Sequence, residues 1–237
     1  YRGTFATIAP IATYIFGIWT FACALGWLRA NSYFSSLGSG WLARNLNTLD
    51  LLSFSLWPVI AFIAGMLLTF SDATSTKFNI PRHRKTVWIS NVVAIALLLA
   101  LAFYFTNKQD FTASAGIFLS MLFSVTLFIG LDFNQLVLTL SNRKYKWSSN
   151  QILWLTWLSC WFFISVSQLG SAEGRRDADP LQSKLYAVET HDGETLRPAL
   201  ESNGVIYAAR LKVKQSPKIT ILNNGDVKYV YKVVKTK

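Results

Sequence analysis

The residues of this chain that could do chemistry are few and scattered. Its two histidines, His83 and His191, have neither a cysteine nor a second histidine nearby. Its two cysteines, Cys23 and Cys160, lie inside long apolar stretches, which argues against a disulfide framework or a metal site. The sequence also has no phosphate-binding loop, dinucleotide-binding glycine pattern, nucleophile elbow or HExxH motif. We therefore predict no catalytic residues, no metal ligands and no cofactor.

One acidic residue stands next to an apolar stretch and has two interpretations. Asp132, with Asn134 close behind it, follows an apolar run that ends at Leu131. If a helix continues to Leu140, Asp132 lies inside a membrane, where a carboxylate is costly and is usually functional. It would then be an ion-binding or coupling group. If the helix ends near Leu131, Asp132 is an interfacial, structural residue.

Small and hydroxyl-bearing residues recur every four positions in three of the apolar stretches. The longest series is Thr112, Gly116, Ser120 and Ser124; the shorter ones are Ala61, Gly65, Thr69 and Ala9, Thr13, Gly17. Small residues at this spacing let two helices approach closely, and hydroxyl groups can form hydrogen bonds across the contact. Such a series predicts either packing within one subunit or a pore-lining or subunit-contact face, and the longest series is the best candidate for the second.

Basic residues cluster in two connections between apolar stretches, and they account for much of the net charge of +11. The clusters are Lys77, Arg82, Arg84 and Lys85 in one connection and Arg143, Lys144 and Lys146 in the other. Basic loops beside apolar spans follow the positive-inside bias and bind anionic lipid headgroups. We favour this interpretation over nucleic-acid binding; docking of an acidic partner is the alternative for the first cluster.

Five apolar stretches carry these residues, at about 5–28, 51–70, 87–105, 111–131 with 140 as the alternative end, and 152–169. Each has roughly 18 to 24 residues, enough for a helix to cross a hydrocarbon layer of about 30 Å. Only 15% of the residues are charged, against roughly 25% in an ordinary soluble domain. Residues 1–171 are therefore predicted to form an α-helical membrane bundle of about five transmembrane helices.

Three residues predict local irregularities inside the apolar stretches. Pro10 and Pro58 each remove a backbone donor, so each predicts a bend or a hinge in its helix. Asn91 is a polar side chain in the third stretch. We predict that it makes a hydrogen bond to a neighbouring helix.

After a linker at 172–183, residues 184–237 change to the alternating pattern of strands. Turn signals occur at His191–Glu194, at Asn203-Gly204 and at Asn223–Asp226. The pattern predicts a small C-terminal antiparallel β domain of four or five strands that could curl into a small barrel. About 55 residues is marginal for independent stability, so the domain is expected to lean on the membrane part or on copies of itself.

Charge distribution and composition together predict a location and a class of function. The clustered basic connections place the N-terminus in the cytoplasm and the β domain outside it, in a bacterial inner or plasma membrane. The predicted function is non-enzymatic: a homo-oligomeric scaffold or conduit, or a subunit of a larger membrane complex, one version being a sensor that alters permeability. The alternatives are a small ion channel or transporter that uses Asp132, and a membrane enzyme that acts on lipid.

Overall fold

The computed structural model describes the backbone of residues 2–74, 80–141, 149–179, 181–202, 205–210, 218–223 and 227–231. Within these ranges, side chains are described except at 2–12, 14, 70–74, 80–88, 132–141, 149–151, 202 and 228–231. The described backbone contains five long helices: α1 Arg2–Ser36, α2 Thr48–Thr74, α3 Ile80–Asn107, α4 Phe111–Ser141 and α5 Ser149–Ala178. A short 3₁₀ helix, Gly40–Asn45, stands between α1 and α2.

Four of these helices contain a segment long and apolar enough to cross a membrane. The segments are Thr48–Thr69, Ile89–Asn107, Phe111–Leu131 and Ile152–Ala178. The stretch predicted at 5–28 lies on α1, whose side chains are described only in part. The prediction of a mostly helical chain with several potential membrane helices is therefore confirmed for these four.

Two helices extend well beyond the apolar stretches that predicted them. Helix α1 continues to Ser36 and ends in a glycine cap, where the N–H of Ser39 bonds to the oxygen of Phe34 and Gly38 has a φ of 73°. Helix α5 continues to Ala178, so the first half of the predicted linker at 172–183 is helical. Both extensions carry charged residues, which is why hydropathy alone ended the stretches too early.

Turns between helices are held by local caps. The side-chain oxygen of Asn47 accepts a bond from the N–H of Asp50, and Asp50 accepts one from Asn47, which closes a reciprocal cap at the start of α2. In the turn before α4, Asp110 accepts from the N–H of Ala113.

Helices α1 and α5 run parallel to each other. This direction follows from the residues that pair between them, whose numbers rise together along both helices with a nearly constant difference.

Close helix packing occurs between α2 and α4. A methyl group added at Gly65 would lie 2.7 Å from the backbone of Thr126, and one at Gly130 would overlap Thr69. The short series Ala61, Gly65, Thr69 therefore packs inside the subunit. Helix α3 packs against α4 through a narrow stripe that includes Ile95 and Ala102.

The buried apolar side chains form two separate clusters along the helices. The bundle cluster holds the middle of the helices and includes Leu25, Ala61, Leu122, Phe162 and Ala172. The head cluster holds the end of α1, the start of α2, the 3₁₀ helix and part of the sheet. Its buried members are Ala30, Tyr33, Phe34, Leu37, Leu42, Ala43 and Leu200.

The C-terminal strands are β1 Ala187–Thr190, β2 Thr195–Ser202, β3 Val205–Arg210, β4 Lys218–Asn223 and β5 Val227–Tyr231. They form one antiparallel sheet in the order β4-β3-β2-β1-β5. The predicted turn after β1 is confirmed, with Gly193 at a φ of 76°. The other two predicted turns, at 203–204 and within 223–226, lie wholly or mostly outside the described residues.

The sheet has to curl, because its two edge strands are close in sequence. Only three residues separate β4 from β5, and they span at most about 14 Å. Four strand spacings in a flat sheet would need about 19 Å. Register shifts in β2, between Pro198 and Leu200, and in β1, between Glu189 and Thr190, supply local bends.

The α2–α4 contact predicts different effects for two glycine substitutions. We expect Gly65→Ala to lower the stability in detergent by about 1–3 kcal/mol, because the added methyl group meets backbone that cannot move aside. Gly116→Ala on α4 is the control: among the described residues nothing lies within 4 Å of its added methyl group, so stability should stay level or rise. Thermal unfolding midpoints of the two variants measure the difference, and equal midpoints would contradict the packing.

Candidate functional site

A layer of polar and charged side chains separates the head cluster from the bundle cluster. Its centre is Arg29 on α1, which is buried. The Arg29 guanidinium makes a two-pronged ion pair with Glu173 on α5: Nε donates to Oε2 at 3.0 Å, and Nη2 donates to Oε1 and Oε2 at 2.7 Å. Paired geometry of this kind is the strongest form of the arginine–carboxylate bond.

The same guanidinium also bonds to the backbone of α2. Nη1 of Arg29 donates to the carbonyl oxygen of Phe54 at 2.8 Å. Residue 54 stands four positions before Pro58, which has no N–H to give, so Pro58 leaves this carbonyl without its helical partner. In apolar surroundings an unpaired carbonyl costs several kcal/mol. Arg29 therefore satisfies the group that the proline frees and joins α1, α2 and α5 at one point.

A second carboxylate, that of Asp177, completes the layer on the side of the sheet. It is buried and accepts bonds from the hydroxyl of Tyr33 at 3.1 Å and from Nε and Nη2 of Arg176 at 3.0 and 3.1 Å. It also accepts from the N–H of Lys184 in the connection to β1, at 3.1 Å. Asp177 thus ties the end of α5 to α1 and to the chain that enters the sheet.

Small residues bring α1 and α5 close enough for these bonds. Methyl groups at Gly170 and Gly174 would overlap the backbone oxygens of Arg29 and Tyr33. Beside the glycines, hydroxyl groups pair across the contact: Ser32 with Ser167 at 2.7 Å and Ser36 with Ser171 at 2.9 Å. The contact is a close-packed seam of the small-residue type that membrane helices use.

This seam was missed by sequence reasoning, although its signal is present. Ser167, Gly170, Ser171 and Gly174 show the same small-residue spacing that was noticed on three other helices. The seam lies at the end of the fifth apolar stretch, where the charges of Glu173 and Arg175 led to the prediction of a linker. For the same reason, the first predicted stretch ends at residue 28, directly before Arg29.

The predicted stripe on α4 lies on the outside of the subunit. Thr112, Gly116 and Ser120 are exposed, and Ser124 is half-buried. The Ser120 hydroxyl donates to the carbonyl oxygen of Gly116 at 3.0 Å. In the described part of the chain, no other helix packs within 4 Å of a methyl group placed at Gly116. Gly116 therefore makes no close helix contact among the described residues, and both interpretations of the stripe, packing within one subunit and a subunit-contact or pore-lining face, stay predictions.

The remaining predicted residues lie at positions whose side chains are not described. Asp132 and Asn134 are on α4, which continues to Ser141, so the longer of the two helix ends is the one observed. The basic residues divide between the start of α3 and segments outside the described residues: Arg82, Arg84 and Lys85 are on the helix, whereas Lys77, Arg143, Lys144 and Lys146 are outside.

The prediction for Asn91 is wrong within the described part of the chain. Asn91 is fully buried on α3, on the face that also carries Ile95 and Ala102. Neither its side-chain nitrogen nor its side-chain oxygen has a hydrogen-bond partner among the described residues. An amide that is buried without a hydrogen bond is expected to lower stability, and among the described residues Asn91 has none.

The hydrogen bonds within the polar layer limit the chemistry that its carboxylates can do. The carboxylates of Glu173 and Asp177 accept bonds from Arg29, Tyr33 and Arg176. Among the described residues, no three His, Cys, Asp or Glu side chains lie together as a metal site requires. The arrangement is that of a structural junction between helices.

Comparison with known proteins adds no family: no protein-family model, curated protein or solved structure matches this chain. The geometry described above is therefore the basis for inferring a function.

The buried pair predicts a strong effect of neutral substitutions. We expect Arg29→Gln and Glu173→Gln each to lower stability by about 3–5 kcal/mol, because each leaves an unpaired charge or carbonyl in a mostly buried place. The double variant should cost less than the sum of the two. Thermal and chemical unfolding in detergent provide the measurement.

The control for this prediction is the ion pair between Arg210 on β3 and Glu194 in the β1–β2 turn. Its side chains are 38% and 46% exposed, against 9% and 18% for Arg29 and Glu173. Arg210→Gln should cost at most about 1 kcal/mol. An equal loss of stability for Arg210→Gln and Arg29→Gln would show that the buried ion pair contributes no more to stability than the exposed one.

The amide of Asn91, which has no hydrogen-bond partner in the described part of the chain, predicts a stabilising substitution. Leucine has a similar volume and no polar atoms, so Asn91→Leu should raise stability by about 1–3 kcal/mol. Asn107→Leu, at an exposed position of the same helix, should have little effect. A lower unfolding midpoint for Asn91→Leu would mean that a bound molecule satisfies the amide.

Proposed function

We propose that this chain is a non-enzymatic integral membrane protein that holds a β domain against the end of a helical bundle, as a scaffold, a conduit or a subunit of a larger membrane complex. The observation that carries the proposal is the direct packing of the sheet on the helix ends. Leu200 of β2 is buried in the head cluster beside residues of α1 and the 3₁₀ helix. The β domain and the bundle therefore act as one unit.

Further contacts join the sheet to the helices. Trp41 on the 3₁₀ helix packs edge-on against Tyr207 of β3, with 5.9 Å between ring centroids. Ile219 of β4 packs against the same head cluster. The side-chain nitrogen of Gln182, between α5 and β1, donates to the backbone oxygen of Gln109 in the α3–α4 turn, and its side-chain oxygen accepts from the N–H of Phe111 at 3.1 Å. The β domain is thus connected both to the head cluster of α1, α2 and the 3₁₀ helix and, through the α5–β1 connection, to the α3–α4 turn.

A location in a bilayer accounts for the apolar outer surface. Large apolar side chains are exposed on several helices, among them Phe16, Leu67, Leu97, Phe103 and Leu153. In water such a surface would favour aggregation, whereas lipid tails or neighbouring subunits cover it. The exposed stripe of Thr112, Gly116 and Ser120 offers one place where a second copy or another membrane subunit could approach closely.

In this proposal the β domain lies outside the cytoplasm of a bacterial inner or plasma membrane. The basic clusters around Arg82 and Arg143 then lie in the cytoplasm, where they bind anionic headgroups. The parallel arrangement of α1 and α5 supports an odd number of crossings between them and the opposite placement of these clusters and the sheet.

The second candidate is an ion channel or transporter that uses Asp132. It is favoured by one observation: α4 continues to Ser141, so Asp132 stands inside a helix rather than at its end. Ion flux into liposomes distinguishes the two. Under the scaffold proposal Asp132→Asn leaves flux unchanged, whereas under the channel proposal it alters conductance or ion selectivity.

The composition of the detergent-extracted particle tests the preferred function. A particle that contains several copies of this chain, or this chain with other membrane proteins, is the expected result. A particle with the mass of one chain plus detergent and lipid would overturn the proposal.

Proteolysis in right-side-out vesicles tests the orientation: the β domain should be cut without lysis.

The contact between sheet and helices predicts the effect of shortening Leu200. Leu200→Ala should remove about 2–3 kcal/mol of packing energy from the head cluster, so proteolysis of the β domain should become about tenfold faster or more. Leu200 is 8% exposed, and Leu181→Ala, at a leucine that is 73% exposed, is the matched control. Equal cleavage rates for both variants would show that the sheet does not depend on the helices.

A further inference from the structure

The face of the sheet that packs on the helices continues beyond them. Leu200 of β2 pairs with Tyr207 of β3, and Tyr207 pairs with Ile221 of β4, so the three side chains form one row across the sheet. Leu200 is 8% exposed in the head cluster, Tyr207 is half-buried against the same cluster, and Ile221 is 59% exposed. The cover that the helices give this row therefore decreases toward β4, which is the last strand on that side of the sheet.

The alternation of side chains along β4 shows which way Ile221 faces. Ile219 and Ile221 lie on one face of the strand, and Ile219 packs against the head cluster. Leu222 lies on the other face, where it is buried in a cluster with Leu196 and Ile206 of the same sheet. Ile221 therefore faces the same side as the residues that contact the helices, but it extends past the described residues of the head cluster.

The exposed end of this row stands next to the end of a potential membrane helix. The ring of Trp41 on the 3₁₀ helix lies 5.9 Å from the ring of Tyr207, and Trp41 is 47% exposed. The 3₁₀ helix directly precedes α2, whose apolar segment Thr48–Thr69 is long enough to cross a membrane, and Leu49 in its first turn is 74% exposed. Tryptophan beside the end of a membrane span lies at the level of the lipid headgroups.

A basic residue accompanies the exposed tryptophan. Arg44 is exposed and stands three positions after Trp41, which places both on one face of the 3₁₀ helix. An indole ring and a guanidinium on one face suit the boundary of a bilayer, where the ring meets hydrocarbon and the cation reaches the phosphates. This combination favours a lipid surface over a second protein as the cover of the row.

We propose that the β4 edge of the sheet rests in the interface of the bilayer that the helices cross. Ile221 and Trp41 enter the boundary between headgroups and acyl chains, and Arg44 binds lipid phosphate groups. This inference rests on the proposed membrane location and extends it, because it gives the β domain a partner of its own, the lipid headgroup. The same contact covers an edge strand that would otherwise be open to pairing with another chain.

The depth of a fluorophore at Ile221 tests the proposal. The full chain, with Cys23→Ala, Cys160→Ala and Ile221→Cys, carries one fluorophore that shifts to the blue in apolar surroundings. It is reconstituted in membranes of phosphatidylethanolamine and phosphatidylglycerol that contain a nitroxide lipid, with the nitroxide either near the headgroup or deep in the acyl chain. The shallow nitroxide should quench the fluorophore more strongly than the deep one, which corresponds to a depth of roughly 5–10 Å into the interface.

Two further label positions calibrate the measurement. Asp192→Cys places the fluorophore in the exposed β1–β2 turn, where neither nitroxide should quench it. Leu97→Cys places it at an exposed position within the apolar segment of α3, where the deep nitroxide should quench it. An unquenched fluorophore at Leu97 would overturn the membrane location itself, so that failure is distinguishable from a failure at Ile221 alone.

The role of Arg44 has its own pair of variants, both made with the fluorophore at Ile221. Arg44→Gln should reduce the shallow quenching about twofold, because one phosphate contact is lost. Arg210→Gln, at an arginine of β3 that pairs with Glu194, should leave it unchanged. Equal quenching in the two variants would overturn the role of Arg44.

Two results at Ile221 would overturn the proposal when the fluorophore at Leu97 is quenched. The first is a fluorophore at Ile221 that behaves like the one at Asp192, which means that the β4 edge stands in water. The second is a blue-shifted fluorophore that neither nitroxide lipid quenches, which means that a second copy or another protein covers the edge.

Discussion

A single guanidinium holds the three central helices of this protein together. Pro58 leaves the carbonyl of Phe54 without a helical donor, and Arg29 supplies one from a neighbouring helix while Glu173 balances its charge. Each of the three groups would be costly to bury alone: a cation, an anion and an unpaired carbonyl. Together they satisfy one another, and this mutual dependence fixes the level at which α1, α2 and α5 meet.

The position of the β domain follows from that junction. Because α1 and α5 are parallel and are joined at the layer, both continue past it in the same direction. Their ends, with the 3₁₀ helix and the start of α2, enclose the head cluster that receives Leu200. A sheet of this size buries little surface of its own, so its orientation depends on the platform that the polar layer supports.

The sequence predicted the parts of the fold that depend on local patterns and missed those that depend on distant pairs. Apolar runs located α2, α3 and the membrane part of α4, and turn residues such as Gly193 located the first hairpin. The polar layer could not be predicted, because Arg29 and Glu173 are 144 residues apart and each one alone resembles the charged end of a span. The predicted hydrogen bond of Asn91 was wrong for a different reason: the side chain is buried, but no described residue provides it with a partner.

The sequence also could not predict which neighbour each small-residue series faces. The reason is the difference between water and lipid as surroundings of a helix. In water, a helix shows its buried face through its apolar stripe, but lipid is as apolar as a protein core, so that signal disappears. Gly65 faces α4 whereas Gly116 faces outward, although both stand in similar series. What distinguishes the faces is directional bonding: the serine pairs, Asp177 and above all Arg29 permit only one register between α1 and α5. Apolar length therefore makes four of these helices long enough to cross a bilayer, and polar pairs decide which helix faces meet.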